Sequence, residues 1–195
     1  MNKIVLATRN RHKILEIQTI LSDLKLEILT LNDFPDVPVL REDGATFQEN
    51  SLQKAREVFR QTHIAALADD SGLEVFYLNG RPGVLSARYA GNGATDERNN
   101  EKLLGEIRGV PPRRRKAQFR ALLTLVGEHS TDVTEGICAG KLAEGPRGTN
   151  GFGYDPIFIP DGFTRTYAEL TAEEKNQISH RSKALAGMKE VLRSR

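Results

Sequence analysis

The amino-terminal part of the chain places a polar segment between apolar elements. Residues 4–7 form a short apolar run that predicts a buried strand, and residues 27–31 predict a second strand. Between them, apolar residues at positions 14, 17 and 21 follow the spacing of one helix face. The polar residues from Thr8 to Lys13 therefore lie where the first strand joins the first helix.

The next segment predicts a second helix and a strand that ends in carboxylates. Residues 46–49, Thr-Phe-Gln-Glu, have capping-box spacing and predict a helix start. Residues 64–68 are all apolar and predict a third strand, which we expect to end in a turn at residues 69–72, Asp-Asp-Ser-Gly. Residues 73–78 predict a strand that returns to a turn at Asn79-Gly80.

The second half of the chain continues to alternate helices with strands. Thr95 opens a predicted helix that stops at Gly109, and alternate small or apolar residues over 117–125 predict a strand with one buried face. Residues 137–142 predict its partner, and a helical region follows Leu170. Because we find no repeat, linker or low-complexity tract, we predict one α/β domain over residues 1–195 with a mixed sheet.

Composition narrows the class of protein. Hydrophobic residues make up 38% and charged residues 28%, an ordinary globular balance. A net charge of +2 gives no general attraction to a polyanion, so we expect no nucleic-acid polymer as partner. The single cysteine, Cys138, excludes an intrachain disulfide, and no apolar run approaches the ~20 residues that cross a membrane. We therefore expect a cytoplasmic protein without a membrane partner.

Two acidic segments are candidates for catalysis or metal binding. Asp69 and Asp70 follow an apolar strand, where a rigid sheet often holds catalytic groups, although Asp-Asp-Ser-Gly is equally an ordinary turn sequence. Glu42 and Asp43 lie in a loop, and Mg²⁺ takes one or two carboxylates together with substrate phosphates. For Glu49 we prefer a role in the capping box.

Two further segments suit a nucleotide. Thr8, Asn10 and Lys13 precede a helix whose first N–H groups and dipole favour a phosphate. Residues 148–156 combine three glycines with Phe152 and Tyr154, whose rings could stack on a base. A loop that is merely anchored by two aromatic side chains is the alternative.

Arg181 can be interpreted in two ways. If one helix runs through it, Arg181 shares an apolar stripe with Ile178 and Leu185 and needs a partner, which could be a ligand. If Ser179 caps a second helix, His180 and Arg181 lie in the first turn of that helix. Both arrangements remain open at this point.

Six short motifs occur in a fixed order between residues 3 and 190. They are Thr8-x-Asn10-x-x-Lys13, Phe47-Gln48-Glu49-Asn50 with Lys54, Asp69-Asp70-Ser71-Gly72, Ser86-Ala87-Arg88-Tyr89, Phe152-Gly153-Tyr154-Asp155-Pro156 and Ser179-His180-Arg181. Together they resemble the inosine triphosphate pyrophosphatase family, and most closely its bacterial members, the dITP/XTP pyrophosphatases.

The resemblance implies a set of site residues. Asp70 looks like the family's catalytic acidic residue and, with Glu42, like a ligand of Mg²⁺. The positions that look like substrate-binding residues are Thr8, Arg9, Asn10, Arg11, His12, Lys13, Ser71, Phe152, Gly153, Tyr154, Asp155, Lys175, His180 and Arg181. The family also implies a twisted central sheet with flanking helices, two lobes around an active-site cleft, and a homodimer.

The activity that the resemblance implies is hydrolysis of ITP, dITP and XTP to the monophosphate and pyrophosphate, which removes these nucleotides from the pool. Two other functional classes remain open for this chain. A nucleic-acid-binding module would use the basic run at residues 113–116 and would bind in a salt-sensitive way without magnesium. A nucleotide sensor would bind without turnover. Release of pyrophosphate from ITP with magnesium distinguishes the three.

Overall fold

The computed structural model describes residues 2–195. The strands are β1 Lys3–Leu6, β2 Glu27–Thr30, β3 Ala66–Val75, β4 Lys116–Val126, β5 Thr131–Leu142 and β6 Phe158–Pro160. The α-helices are α1 Arg11–Ile20, α2 Phe47–Thr62, α3 Asp96–Glu106, α4 Ala172–Ile178 and α5 His180–Arg193. Short 3₁₀ helices lie at Phe76–Leu78, Gly83–Arg88, Pro112–Arg114, Asp155–Ile157 and Tyr167–Glu169.

The strands form one sheet in the order β2-β1-β3-β4-β5-β6. Strand β1 is parallel to β2 and β3, with Val5 opposite Ala66, whereas β6 is antiparallel to β5. The predicted α/β fold with a mixed sheet and flanking helices is therefore confirmed. Among residues 2–195, no helix has both the length and the apolar character needed to cross a membrane.

The chain divides into two compact units. The first comprises the chain up to Asp70, residues 121–136 and residues 181–195, and the second comprises residues 71–120 and 137–180. Strands β3, β4 and β5 each contribute residues to both units. The single domain over residues 1–195 stays a prediction.

Strand alternation gives the first unit two apolar cores. Ile4 of β1 and Leu67 of β3 lie in a core that also contains residues of α1 and α5. Val5 and Ala68, each one position further along its strand, lie in a core that contains residues of α2. Successive side chains of a strand point to opposite faces, so each strand supplies both cores.

The core of the second unit is rich in aromatic side chains. The Phe119 ring lies 4.8 Å from the Phe158 ring, edge to face, and 5.7 Å from the Tyr167 ring, stacked. Leu73 and Val75 of β3 are buried in the same cluster. Such ring pairs stabilise a core beyond the apolar area that they bury.

The sequence prediction for residues 69–78 was wrong in two respects. Strand β3 does not end at Asp69 but continues to Val75, and the 3₁₀ helix Phe76–Leu78 replaces the predicted return strand. The turn does follow there, because Asn79 adopts a left-handed conformation with φ of 55°. Two adjacent aspartates can lie inside a strand here because each is paired with a cation.

Candidate active site

Asp69 and Asp70 are neighbours in β3 but meet different helices. Asp69 pairs with Lys13 of α1 and Arg181 of α5, whereas Asp70 pairs with Lys54 of α2. This division follows the two cores of the first unit, because successive side chains of β3 point to opposite faces. The two carboxylates therefore belong to two different clusters.

Asp69 is buried between two cations. Lys13 Nζ donates to Asp69 Oδ1 at 2.8 Å, and Arg181 Nε donates to Asp69 Oδ2 at 2.5 Å. Arg181 Nη1 also donates to Glu16 of α1. Burial opposes ionisation of Asp69, but the charges of Arg181 and Lys13 prevail and hold its pKa well below the ordinary value. An ionised Asp69 thus fixes the ammonium of Lys13.

Asp70 belongs to a second cluster, centred on Lys54. The buried Lys54 Nζ lies 2.8 Å from Asp70 Oδ1 and 2.6 Å from Glu42 Oε1. Asn50 Nδ2 donates to Asp70 Oδ2 at 3.1 Å. Burial raises the pKa of Asp70 above its ordinary value, against the opposing charge of Lys54. The two carboxylates that the sequence predicts as metal ligands therefore converge on one positive charge.

The pair of Glu42 and Asp70 fits the donor chemistry of Mg²⁺. Both side chains reach the same ammonium, so their oxygens are close enough to share a cation. Within residues 2–195, no group of three or more His, Cys, Asp or Glu side chains could hold a metal ion. Two carboxylates are sufficient for Mg²⁺, because it takes its remaining oxygen ligands from water and substrate phosphates.

The side chains of the first loop organise the start of α1. Asn10 Oδ1 accepts hydrogen bonds from the backbone N–H groups of His12 and Lys13, at 3.0 and 3.2 Å. Thr8 Oγ1 accepts from the backbone N–H of Asn10 at 3.1 Å. This is the capping arrangement that a helix start favours, and it orients Lys13 toward Asp69.

Arg9 holds a neighbouring loop of the same unit. Its Nη1 and Nη2 atoms donate to the carbonyl oxygens of Leu31 and Val37, at 3.1 and 3.0 Å. Arg9 is therefore committed to the backbone that follows β2. Arg11 and His12 are exposed at the start of α1.

In the second unit, the segment 152–155 forms a compact polar and aromatic cluster with α4. Lys175 Nζ donates to Asp155 Oδ2 at 2.6 Å and lies 4.8 Å from the centre of the Phe152 ring. The backbone N–H of Phe152 donates to the same carboxylate oxygen at 3.0 Å. Ring, carboxylate and ammonium are thereby held in one arrangement, in which the cation lies over the ring face.

The middle of this segment is held from two further elements. Gly153 N donates to Asp96 Oδ2 at 2.6 Å, and Asn100 Nδ2 donates to Gly153 O at 2.9 Å. Tyr154 Oη donates to the carbonyl of Ser86 at 2.8 Å. Helix α3 and the 3₁₀ helix Gly83–Arg88 thus fix the backbone of the loop.

The carboxyl-terminal region follows the second of the two predicted arrangements. Helix α4 ends at Ile178 and α5 begins at His180, so Ser179 separates two helices. His180 is buried and stacks on Phe119 with ring centres 4.7 Å apart. The side chain of Arg181 is 1% exposed, and the carboxylates of Asp69 and Glu16 hold its guanidinium; its predicted role in substrate binding stays a prediction.

The basic run at residues 113–116 is not a free patch. Arg115 is buried and donates from Nε to the carbonyl of Val110 at 2.8 Å. The guanidinium of Arg114 lies 4.9 Å from the centre of the Tyr77 ring. Two of the four cations are therefore used within the fold, which disfavours the run as a surface for nucleic acid.

With this geometry established, similarity to known proteins identifies the family. A family model described as the Ham1 family matches residues 4–191. The chain belongs to the Ham1 family. A dITP/XTP pyrophosphatase of Geobacter sulfurreducens is 49% identical over 193 residues, which cover 98% of this chain and 97% of that protein. A dITP/XTP pyrophosphatase of Clostridium perfringens is 45% identical and covers 99% of this chain and 98% of its own length.

Solved structures agree with the assignment to the Ham1 family. A HAM1 protein from Coxiella burnetii matches with a TM-score of 0.91 and 42% identity over the whole of both chains. A nucleoside-triphosphatase, or dITP/XTP pyrophosphatase, from Mycobacterium abscessus matches with a TM-score of 0.79 and 46% identity, covering 95% of this chain and 98% of that one. The family that the six motifs predict is thus confirmed.

The predicted site residues of this Ham1-family chain fall into two groups. Those in the first unit are Thr8, Arg9, Asn10, Arg11, His12, Lys13, Glu42, Asp70 and Arg181. Those in the second unit are Ser71, Phe152, Gly153, Tyr154, Asp155, Lys175 and His180. Ser71 follows Asp70 directly within β3 and is partly exposed. The structure brings Glu42 to Asp70, and Asp155 to Lys175 and Phe152.

Three residues that the sequence analysis did not name as candidates are central to the geometry of the site. They are Glu16, Asn50 and Lys54, all in the first unit. Asn50 and Lys54 are four positions apart in one motif, which puts an amide and a cation on the same helix face. This spacing could have identified Asn50 and Lys54 as site residues. For Glu16, the only such feature of the sequence is its position three residues after Lys13.

Proposed function

We propose that the chain hydrolyses ITP, dITP and XTP to the nucleoside monophosphate and pyrophosphate. The observation that carries this proposal is the convergence of Glu42 and Asp70 on one cation, 2.6 and 2.8 Å from Lys54 Nζ. It occurs in a chain whose relatives, matched over nearly their whole length, are named dITP/XTP pyrophosphatases. Such an arrangement of carboxylates suits a reaction on a polyanionic substrate.

We assign the triphosphate to the cations Lys13 and Lys54. Lys13 supplies a positive charge beside the start of α1, and its bond to Asp69 keeps the ammonium in place. The buried Lys54 supplies a second cation. Both charges act in a partly desolvated environment, where they stabilise phosphate oxygens more strongly than they would in water.

We assign Asp70 to the attacking water. Its ionised carboxylate orients the water and accepts its proton as the oxygen approaches the α-phosphorus, and Asn50 holds the carboxylate through Oδ2. Pyrophosphate is then the leaving group. Glu42 and Asp70 are the residues that we expect to hold Mg²⁺, which when bound would supply charge neutralisation of the triphosphate.

We assign the purine to the segment 152–155 and Lys175. Phe152 offers a ring for stacking, which every base accepts, so discrimination has to come from the polar edge of the base. Lys175 carries donors only. It can pair with the C6 carbonyl of hypoxanthine or xanthine, whereas the C6 amino group of adenine would present a donor to a donor. Asp155 holds Lys175 in position at 2.6 Å.

Arg181 receives a different role from the one that the resemblance implies. Its guanidinium is buried against Asp69 and Glu16, and Asp69 in turn holds Lys13. We therefore propose that Arg181 acts on the phosphate side, as a positioning residue that works through Asp69. His180, stacked on Phe119, remains our candidate for a contact to the base.

We also propose a homodimer that acts in the cytoplasm with magnesium as its metal. The resemblance supports the dimer and the metal, and the single buried thiol of Cys138 is consistent with a reducing compartment. Light scattering coupled to gel filtration measures the mass in solution. Activity with magnesium, manganese and calcium compared at equal concentration ranks the metals.

The test of the proposed function is the product of the reaction with ITP and magnesium. We expect pyrophosphate and IMP, with ¹⁸O from labelled water in the monophosphate, because water attacks the α-phosphorus. Release of orthophosphate by the pure protein would contradict this mechanism. Binding of ITP without any product would instead indicate a nucleotide sensor.

A further inference from the structure

Side chains of helix α3 form hydrogen bonds with both the N–H and the C=O of a single glycine in the second unit. Asp96 Oδ2 accepts a hydrogen bond from Gly153 N at 2.6 Å, and Asn100 Nδ2 donates to Gly153 O at 2.9 Å. Asp96 and Asn100 are four residues apart in α3, so they lie on one face of the helix, one turn apart. One rigid element thus holds the donor and the acceptor of the same residue.

Gly153 is a position at which the backbone of the loop would otherwise have conformational freedom. Gly153 has a φ of 62°, in the left-handed region that glycine enters at little cost. It is flanked by Phe152, whose N–H donates to Asp155, and by Tyr154, which is tied to Ser86. The two bonds from α3 therefore fix the loop at its least restricted position.

The chemistry of Asn100 shows which of its atoms matters. Its Oδ1 atom is buried and finds no hydrogen-bond partner among residues 2–195, whereas its Nδ2 atom bonds to Gly153. A buried amide oxygen without a partner is costly, so a purely structural site would favour an apolar side chain. A flipped amide would place an oxygen against the Gly153 carbonyl oxygen. The donor is thus the group that the loop requires.

We propose that Asp96 and Asn100 are positioning residues for base recognition, which hold the 152–155 loop in the conformation that distinguishes purines. This inference rests on the proposed function, because Phe152 and Asp155 are the groups that the loop presents to the base. Neither Asp96 nor Asn100 needs to touch the substrate. They act through Gly153 and are distinct from the phosphate cluster around Asp70.

The experiment compares Asp96→Ala with two matched variants. Glu97→Ala removes the same charge from the same first turn of α3, and the Glu97 side chain bonds to Thr95 at the helix start, so this variant controls for the helix. Asp96→Asn keeps an oxygen that can accept from Gly153 N and should restore function. The kinetic constants are measured for ITP and ATP, and inhibition is measured with inorganic tripolyphosphate, which has phosphates but no base.

For Asp96→Ala we expect the KM for ITP to rise about tenfold, the scale of one lost charge-assisted hydrogen bond, while kcat changes little. The ratio of kcat/KM for ITP to that for ATP should fall. The inhibition constant of tripolyphosphate should stay unchanged, because the phosphate side is intact. Asn100→Asp, which replaces the donor with an acceptor, should shift the same quantities further in the same direction.

Two results would overturn the inference. One is an equal change in Glu97→Ala, which would mean that the helix start and not the loop is affected. The other is a parallel weakening of tripolyphosphate inhibition, which would mean a general loss of structure. Failure of the proposed function would be visible separately, because the unmodified protein would then release no pyrophosphate from ITP.

Discussion

Lys54 Nζ donates a hydrogen bond of 2.8 Å to Asp70 Oδ1, and this contact joins helix α2 to the middle of strand β3. It matters for chemistry because burial alone raises the pKa of Asp70, whereas a base that activates water must be ionised. The charge of Lys54 opposes the effect of burial. The fold therefore places the counter-ion of the carboxylate that we propose as catalytic within the same helix that supplies Asn50.

The first prediction concerns the charge of Asp70. Asp70→Asn keeps the size of the side chain but removes the acceptor of the water proton and one expected magnesium ligand. We expect kcat for ITP to fall by roughly 10²–10⁴, the usual contribution of general-base catalysis. Steady-state kinetics at saturating magnesium measures this, after circular dichroism has shown that the variant folds.

Asp43→Asn is the matched control for this substitution. Asp43 is exposed and follows Glu42 in the chain, so its substitution tests the loss of an acidic charge near the cluster. We expect its kcat to stay close to that of the unmodified protein. Near-normal turnover in Asp70→Asn would mean that another group activates the water.

Local sequence signals predicted much of the fold. The helical region predicted after Leu170 is one example: it begins as α4 with a capping box, in which Thr171 Oγ1 accepts from Glu174 N and Glu174 Oε2 accepts from Thr171 N. The alternation over residues 117–125 is another, because β4 spans Lys116–Val126, although residues 121–126 are buried on both faces of the strand and not on one. These features depend on residues within a few positions of each other, which a sequence displays directly.

The course of β3 depended on distant residues and was not predictable in this way. Aspartate favours turns because its side chain can bond to nearby backbone, so Asp69-Asp70 looked like a strand end. In the structure, Arg181 pairs with Asp69 from 112 positions away along the chain. The sequence did indicate that Arg181 needs a partner. It could not indicate that Asp69 and Glu16 bind its guanidinium.

The second prediction tests the role of Arg181. Removing one partner from a buried ion pair leaves an uncompensated charge, so Arg181→Ala should lower the free energy of unfolding by about 3–5 kcal/mol. Arg193→Ala, on the same helix, removes two ion pairs, with Asp23 and Glu190, whose side chains are at least 50% exposed, and should cost less than about 1 kcal/mol. Urea unfolding measures both values.

A second variant tests whether Arg181 acts on the phosphates or on the base. Glu16→Gln weakens the hold on Arg181 while retaining the guanidinium and Asp69, so it is the milder variant for kinetics. We expect weaker inhibition by tripolyphosphate and an unchanged ratio of kcat/KM between ITP and ATP. If the ratio of kcat/KM for ITP to that for ATP falls while tripolyphosphate inhibition is unchanged, Arg181 contributes to recognition of the base and not to positioning of the phosphates.

The third prediction is a pH dependence of stability in the second unit. Tyr89 Oη donates to Glu106 Oε2 at 2.5 Å, and burial together with this carboxylate raises the pKa of Tyr89 to about 12. Because the folded-state pKa is raised above 10.0, the stabilisation is complete below pH 10 and is lost as the pH rises toward 12. Tyr89→Phe lacks it at every pH.

Unfolding measured between pH 8 and pH 12 checks the sign of this effect. At pH 8, Tyr89→Phe should be less stable than the unmodified protein by roughly 1.5 kcal/mol, the scale of a hydrogen bond to a charged group. This difference should shrink as the pH rises. Tyr77→Phe, in which the side chain is 40% exposed, controls for removing a tyrosine hydroxyl. A difference that grows with pH would contradict the assignment.

The fourth prediction concerns Gly151, which precedes the loop that we assign to the base. Gly151 has a φ of 75°, and a Cβ built there would overlap the Asp155 carboxylate that holds Lys175 and Phe152. Gly162→Ala is the control, since φ is 85° but no described heavy atom lies within 4 Å of the added Cβ.

Both variants should lose about 1–2 kcal/mol of stability for an alanine in the left-handed region. Only Gly151→Ala should displace Asp155, so only that variant should raise the KM for ITP while tripolyphosphate inhibition stays unchanged. Equal KM values in the two alanine variants would show that the position of Asp155 does not govern recognition of the base.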